Sequence, residues 1–196
     1  MTLNEYQKLA QRTSPTDHDK LKNGCMGLIG ESGEIVDLMK KYMFQSTPGT
    51  PLPTDKLIKE MGDVMWYIAE TVTGMGFDLQ TVLSEGQGLA IKGPLDLDMH
   101  AIVLSSCESS SYTNFCRKDM LSLMRDINFM YAVLISMCRM IGTTIEHVQE
   151  VNIEKLRKRY PDGFDPERSM NRPEYQREEE TEPASGILFS ERNRTV

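Results

Sequence analysis

An unbroken apolar stripe at helical spacing, in the first half of the chain, limits most strongly what this sequence can fold into. Large apolar side chains recur every three or four residues between positions 57 and 75: Leu57, Met61, Val64, Ile68, Val72 and Met75. This spacing places them on one helix face, whereas a half-buried strand would alternate with a period of two. Similar stripes run through residues 19–44 and 115–141. The sequence therefore predicts an all-α fold built around three long helices.

Turn-forming residues divide the chain into elements. We expect a short helix over 3–12, a turn at 14–17 whose Asp17 caps the second helix, and a proline-rich loop over 46–54. Gly76 ends the third helix, and a short helix over 98–106 lies within the irregular stretch 84–114. Thr143 or Thr144 caps the last helix, which stops before Pro161. Residues 1–172 are predicted to form one domain, followed by a flexible acidic tail over 173–196.

Charge and cysteine usage exclude several classes of protein. The 196 residues carry 22 Lys and Arg against 29 Asp and Glu, a net charge of −7, which argues against nucleic-acid binding. Four cysteines without metal-ligand spacing are expected to be reduced thiols. No signal peptide is visible, and the longest nearly apolar stretch, 129–138, is half of the ~20 residues that a membrane span needs. We therefore expect a cytoplasmic protein with no membrane partner.

Two carboxylate pairs carry the chemistry. Glu31 and Glu34 lie three residues apart on the second helix, and Glu60 and Asp63 lie three apart on the third. Each pair therefore lies on one helix face. Either pair alone is commonly a solvated surface. Four carboxylates converging from neighbouring helices would instead require cations, and hard oxygen ligands suit Mg²⁺, with Mn²⁺ as a possible substitute.

Glycines and cations extend this pattern. Glycine recurs at every third position from Gly24 to Gly33, and such a run is either a loop or a helix whose backbone closely approaches another group. Asn152, Lys155 and Arg159 lie at steps of three and four on the last helix, near its C-terminal end. A basic helix end is most often a solvated surface, and the alternative is that this face holds the phosphates of a ligand.

Three sequence segments together resemble a known family. They are GESGE at 30–34, EMGDVMWY at 60–67 and NIEKLRKRYPDGF at 152–164. The chain is similar, over about 3–83 and 143–172, to the MazG-like all-α nucleoside triphosphate pyrophosphohydrolases, which are related to dCTPases and dimeric dUTPases. The resemblance implies a helical bundle, a homodimer or homotetramer, and Mg²⁺-dependent hydrolysis of a (deoxy)nucleoside triphosphate to the monophosphate and pyrophosphate in nucleotide-pool housekeeping.

The resemblance also assigns roles to residues. It implies that the metal ligands are Glu31, Glu34, Glu60 and Asp63, and that Glu31 or Glu34 orients or deprotonates the attacking water. Lys155 and Arg159 would contact phosphates with the help of Asn152. Tyr67 and Asn23 match positions that face the sugar or base.

The chain departs from the compact family pattern in one respect. About 60 residues, near 84–142, separate the metal-binding helix from the phosphate-binding helix. They are either an insertion or a degenerate repeat, in which Leu123 replaces Glu60. A catalytically silent relative that binds nucleotide or a partner protein is the alternative function. A redox di-metal bundle is disfavoured, because none of His18, His100 and His147 completes a Glu-x-x-His pair with these carboxylates.

Overall fold

The computed structural model describes residues 1–83 and 96–170. These residues form eight helices and the protein is all-α. The helices are α1 (Leu3–Gln11), α2 (Lys20–Gln45), α3 (Thr54–Gly74), α4 (Leu79–Leu83), α5 (Leu97–Arg117), α6 (Met120–Met140), α7 (Ile145–Arg159) and α8 (Pro166–Met170). The predicted tail over 173–196 lies outside the described residues, and so does the start of the predicted extra segment.

The ends of the helices are set by side-chain caps. Asp19, and not Asp17 as predicted, caps α2 by accepting a hydrogen bond from the backbone N–H of Lys22. Thr144 caps α7 in the same way. After α3, Gly76 has a positive φ of 81°, a conformation that favours glycine, so the chain turns there as predicted.

The second half of the chain differs from the prediction in where its helices begin and end. The predicted short helix over 98–106 extends to Arg117, and the predicted helix over 115–141 begins only at Met120. The serine-rich stretch remains helical because its hydroxyls donate to carbonyls one turn earlier, as Ser106 does to Ile102 and Ser111 to Cys107. The break falls at Lys118, whose φ of 57° ends α5.

One apolar core joins the helices, with α2 packed between α3 and α5. Helix α6 packs on α5, and α7 packs on α3. Unbranched methionine fills much of the space between helices: Met39, Met61, Met65, Met130 and Met137 are all buried. The site lies at the corner where α2, α3 and α7 meet.

Helix α6 is long and apolar enough to cross a membrane, judged by length and composition alone. Its best window has a mean hydropathy of 1.3, and 56% of that window is buried within the fold. The sequence prediction considered only residues 129–138, whereas the apolar character extends over most of the 21 residues of α6. The burial is what a core helix requires.

The glycine run lies inside α2, so the loop interpretation was wrong. A Cβ on Gly24 would lie 2.7 Å from the backbone nitrogen of Thr71, and one on Gly27 would lie 2.0 Å from the Tyr67 ring. Opposite them, a Cβ on Gly74 would lie 2.4 Å from the backbone of Leu21. These glycines let α2 and α3 approach closely. By contrast, a Cβ on Gly30 or Gly33 would meet no other element within 4 Å among the described residues.

Substituting Gly24 and Gly30 with alanine should therefore have opposite effects. We expect Gly24→Ala to lower the free energy of unfolding by about 2–4 kcal/mol, because the backbones of α2 and α3 must separate. Gly30→Ala should raise it by roughly 0.5–1 kcal/mol, because alanine is the better helix former and meets open space. Urea unfolding of both variants tests this; equal effects would contradict the close-approach explanation.

Candidate functional site

Three of the four predicted carboxylates meet at the corner of α2 and α3. Ligand oxygens of Glu31, Glu60 and Asp63 all lie within 4.8 Å of one another. Glu60 and Asp63 come from successive turns of α3, and Glu31 faces them from α2 because Gly24 and Gly27 bring the two helices together. Three half-buried carboxylates at this separation form a donor set that suits a hard divalent cation.

Glu34 stands apart from this cluster but faces the same space. A cavity of about 300 Å³ is lined by the following side chains: Glu31, Glu34, Lys59, Glu60, Asp63, Lys155 and Arg159. Glu34 is exposed at its edge. The cavity therefore combines four carboxylates with three cationic side chains, an arrangement that fits a cation together with a polyphosphate.

Helix α7 holds Asp63 in place. The Lys155 ammonium lies 2.5 Å from both carboxylate oxygens of Asp63, and the Asn152 side-chain amide donates to Asp63 Oδ1 at 3.2 Å. Asn152 is only 1% exposed, and its own Oδ1 accepts from the buried Tyr6 hydroxyl at 2.9 Å. The structure thus places Asn152 beneath Asp63, whereas the sequence prediction placed it against phosphate.

A second, aromatic pocket continues from the carboxylate cavity. Its volume is about 270 Å³, and the two spaces share Glu31, Asp63 and Arg159. Four aromatic side chains line it: Trp66, Tyr67, Tyr160 and Phe164. The polar side chains of Asn23 and Thr13 also line it. The Trp66 indole is fixed by donating to the Ala10 carbonyl and the Thr13 hydroxyl. One cleft therefore has an ionic end and an aromatic end.

Comparison with known proteins identifies one family. Residues 20–86, which contain the whole α2–α3 hairpin and its carboxylates, match the model of the MazG nucleotide pyrophosphohydrolase domain. This part of the chain is MazG-like. A relative, the "Gene 37 protein" of Mycobacterium phage L5, is 42% identical over 59 residues, which are 29% of this chain and 51% of that protein. The alignment thus spans about half of that relative's length. No solved structure matches.

The site contains residues that the sequence patterns did not assign. Lys59 lines the ionic cavity, and Trp66, Tyr160 and Phe164 line the aromatic pocket. Trp66, Tyr160 and Phe164 lie inside the segments that carry the family resemblance, so proximity to the motif was an available signal. No sequence signal pointed to Lys59, because a lysine on a helix is usually solvated.

The carboxylate cluster perturbs its own ionisation. Burial raises the pKa of Glu31 to about 7, and the negative charges of Asp63 and Glu60 contribute to the rise while Lys155 opposes it. An acid beside other carboxylates loses its proton readily only when a cation compensates the charge. The MazG-like cluster is therefore electrostatically prepared for a divalent cation.

Cation binding should consequently be pH-dependent. With Glu31 titrating near 7, we expect the apparent Mg²⁺ affinity to rise about tenfold between pH 6 and pH 8. Below the pKa, binding should release close to one proton from this group. Isothermal titration calorimetry in two buffers of different ionisation enthalpy measures both quantities. The Glu31→Gln variant is the control, and proton release that survives in it would assign the titration to another group.

Proposed function

We propose that this protein is a Mg²⁺-dependent pyrophosphohydrolase that cleaves a (deoxy)nucleoside triphosphate to the monophosphate and pyrophosphate, as part of nucleotide-pool housekeeping. One observation carries the proposal: the cluster of Glu31, Glu60 and Asp63 lies beside Lys155 in a cleft that continues into an aromatic pocket. A nucleoside triphosphate has the matching division, with a charged chain at one end and a flat base at the other. The MazG domain match supports the same reaction class.

The four carboxylates of the cavity would bind the cation and activate water. Glu31, Glu60 and Asp63 would hold Mg²⁺, or Mn²⁺ in its place, with Glu34 at the edge of the cavity. A divalent ion bound there would supply Lewis-acid charge to the phosphate oxygens and assist ionisation of water. Glu31 or Glu34 would orient the attacking water or accept its proton.

Cationic and aromatic side chains would bind the two ends of the substrate. Lys155 and Arg159 face the ionic cavity and would stabilise negative charge that grows on the phosphates and the departing pyrophosphate. Trp66 and Tyr67 would contact the base or sugar. Asn152 would act indirectly, because it holds Asp63.

We further propose that the protein acts in the cytoplasm as a homodimer or homotetramer. Helices α2 and α5 pack together, and each exposes large apolar side chains. Met26 is 54% and Ile29 42% exposed on α2, while Met99 is 42% and Ile102 49% exposed on α5. A second copy would remove this surface from water. Light scattering coupled to size-exclusion chromatography measures the mass in solution.

The reaction is tested by measuring pyrophosphate release from the eight common nucleoside triphosphates. We expect release from one or a few of them with Mg²⁺ and none with EDTA. Metal-independent release would contradict the assigned role of the carboxylates. If folded protein that binds Mg²⁺ releases pyrophosphate from none of the eight, the result would favour the alternative of a catalytically silent relative that only binds its ligand.

A further inference from the structure

Glu70 is a buried carboxylate that the proposed reaction does not use. Its side chain has no exposed surface. It accepts hydrogen bonds from Gln11 Nε2 at 2.8 Å, from Ser14 Oγ at 3.0 Å and from Asn23 Nδ2 at 3.3 Å. His18 Nε2 lies 2.6 Å from it and Lys20 Nζ 3.6 Å. Side chains from α1, α2 and the segment between them therefore converge on one residue of α3.

This network borders the aromatic pocket. Asn23 donates to Glu70 and also lines the pocket. Thr13 and Pro15 line the pocket as well. They belong to the segment between α1 and α2, which contacts Glu70 through Ser14 and His18. Glu70 itself is not part of the wall. It lies one turn beyond Trp66 and Tyr67 on α3, behind the polar side of the pocket.

Ionised carboxylates accept hydrogen bonds and donate none. Gln11, Ser14 and Asn23 each donate a hydrogen bond to Glu70. For Asn23 this means that the amide nitrogen turns towards Glu70, which directs the carbonyl oxygen to the opposite side of the amide, where it can accept from a ligand. An amide can adopt either orientation, so the partner decides which one it takes.

We propose that Glu70 is a positioning residue that fixes the amide of Asn23, so that the aromatic pocket presents a hydrogen-bond acceptor and selects nucleosides by a donor. The inference rests on the proposed function. The donor has two possible sources in a nucleotide, a sugar hydroxyl or an N–H of the base. In both cases Glu70 acts through Asn23 and does not touch the ligand.

Binding can be measured without catalysis. Trp66 is the single tryptophan of the chain and lines the pocket, so its fluorescence reports on an occupied pocket. The probes are the four deoxynucleoside 5′-monophosphates, in EDTA. The monophosphate that binds most tightly is then compared with two analogues. Its 2′,3′-dideoxy form lacks the sugar hydroxyl, and its base-methylated form lacks the N–H donors of the base. We expect removal of one of these donors to weaken binding roughly 3- to 10-fold.

Four variants then test the role of Glu70. The preference is the ratio of the Kd of the analogue that lacks the donor to the Kd of the nucleotide that carries it. Glu70→Gln introduces a donor beside Asn23 and should reduce this ratio to about one. Asn23→Ala should do the same. Glu70→Asp keeps an acceptor-only group and should retain the preference. Glu150→Gln, a matched change on the exposed face of α7, is the control. In turnover with the triphosphate, Glu70→Gln should raise KM by a larger factor than it lowers kcat.

Because the two groups act as a unit, Asn23→Ala and Glu70→Gln combined should lower the preference no further than either alone. The proposal is overturned if folded Glu70→Gln keeps the wild-type preference, or if Asn23→Ala does. It is also overturned if neither donor matters in the wild-type protein. These outcomes leave the reaction intact. Absence of both Trp66 quenching and pyrophosphate release would instead remove the proposed function, and this inference with it.

Discussion

Asp63→Asn is expected to lower kcat for pyrophosphate release on the order of 10³-fold or more, because loss of an outer-shell partner alone costs roughly 10–100-fold. Asp63 belongs to the three-carboxylate cluster and also accepts from Lys155 and Asn152. An asparagine in its place would remove one negative charge and turn an amide donor towards two other donors. The cation and Lys155 would both lose their partner.

The fold should survive this substitution. The Asp63 side chain is 26% exposed, at the edge of the core, so we expect the helical circular dichroism spectrum to be unchanged. Glu31→Gln should behave in the same way. Asp55→Asn, an exposed change in the first turn of the same helix, is the matched control and should retain turnover. Unchanged turnover in Asp63→Asn or Glu31→Gln would remove these residues from the active site.

Replacing Glu108 is expected to produce a large, pH-dependent change in stability. Glu108 lies on the buried stripe of α5, is 1% exposed, and neither of its carboxylate oxygens has a hydrogen-bond partner in the described residues. Burial raises its pKa to about 9. The folded protein therefore binds this proton more tightly than the unfolded chain does, in which the pKa is near its ordinary value of 4.5.

The sign of the pH dependence follows from this difference. Stability from the raised pKa is fully present below about pH 4.5 and is lost as the pH rises through 9. At about 1.4 kcal/mol per pH unit, this group alone should make the free energy of unfolding about 3–4 kcal/mol lower at pH 8 than at pH 5. Glu108→Met, which keeps the length and removes the charge, should abolish this slope and stabilise the protein at pH 8 by about 2–4 kcal/mol.

Urea unfolding at pH 5 and pH 8 measures the effect in both proteins. Glu108→Gln separates charge from polarity: it cannot ionise, so it should remove the slope, yet it still buries polar atoms and should stabilise less than methionine does. Glu150→Gln, on an exposed position, should keep the wild-type slope. A slope that persists in Glu108→Met would mean that another group titrates.

Sequence patterns predicted the helices better than their ends. The stripes in α2, α3 and α6 are long and periodic, and burial of such a stripe dominates over local preferences. The errors fell where several local solutions were available. Asp17 and Asp19 are both competent caps, and only the packed backbone selects Asp19. The serine-rich turns of α5 look irregular, but their hydroxyls find carbonyl acceptors once the helix is packed.

The sequence by itself determined the α-helical class and the pairing of carboxylates on two helices, because both depend on spacing within one helix. Only the tertiary structure decided which groups meet across helices. It separates Glu34 from the cluster, places Asn152 under Asp63 and gathers five polar groups around Glu70. Contacts between residues 47 to 92 positions apart depend on how closely helices approach and rotate, and no local pattern encodes those distances.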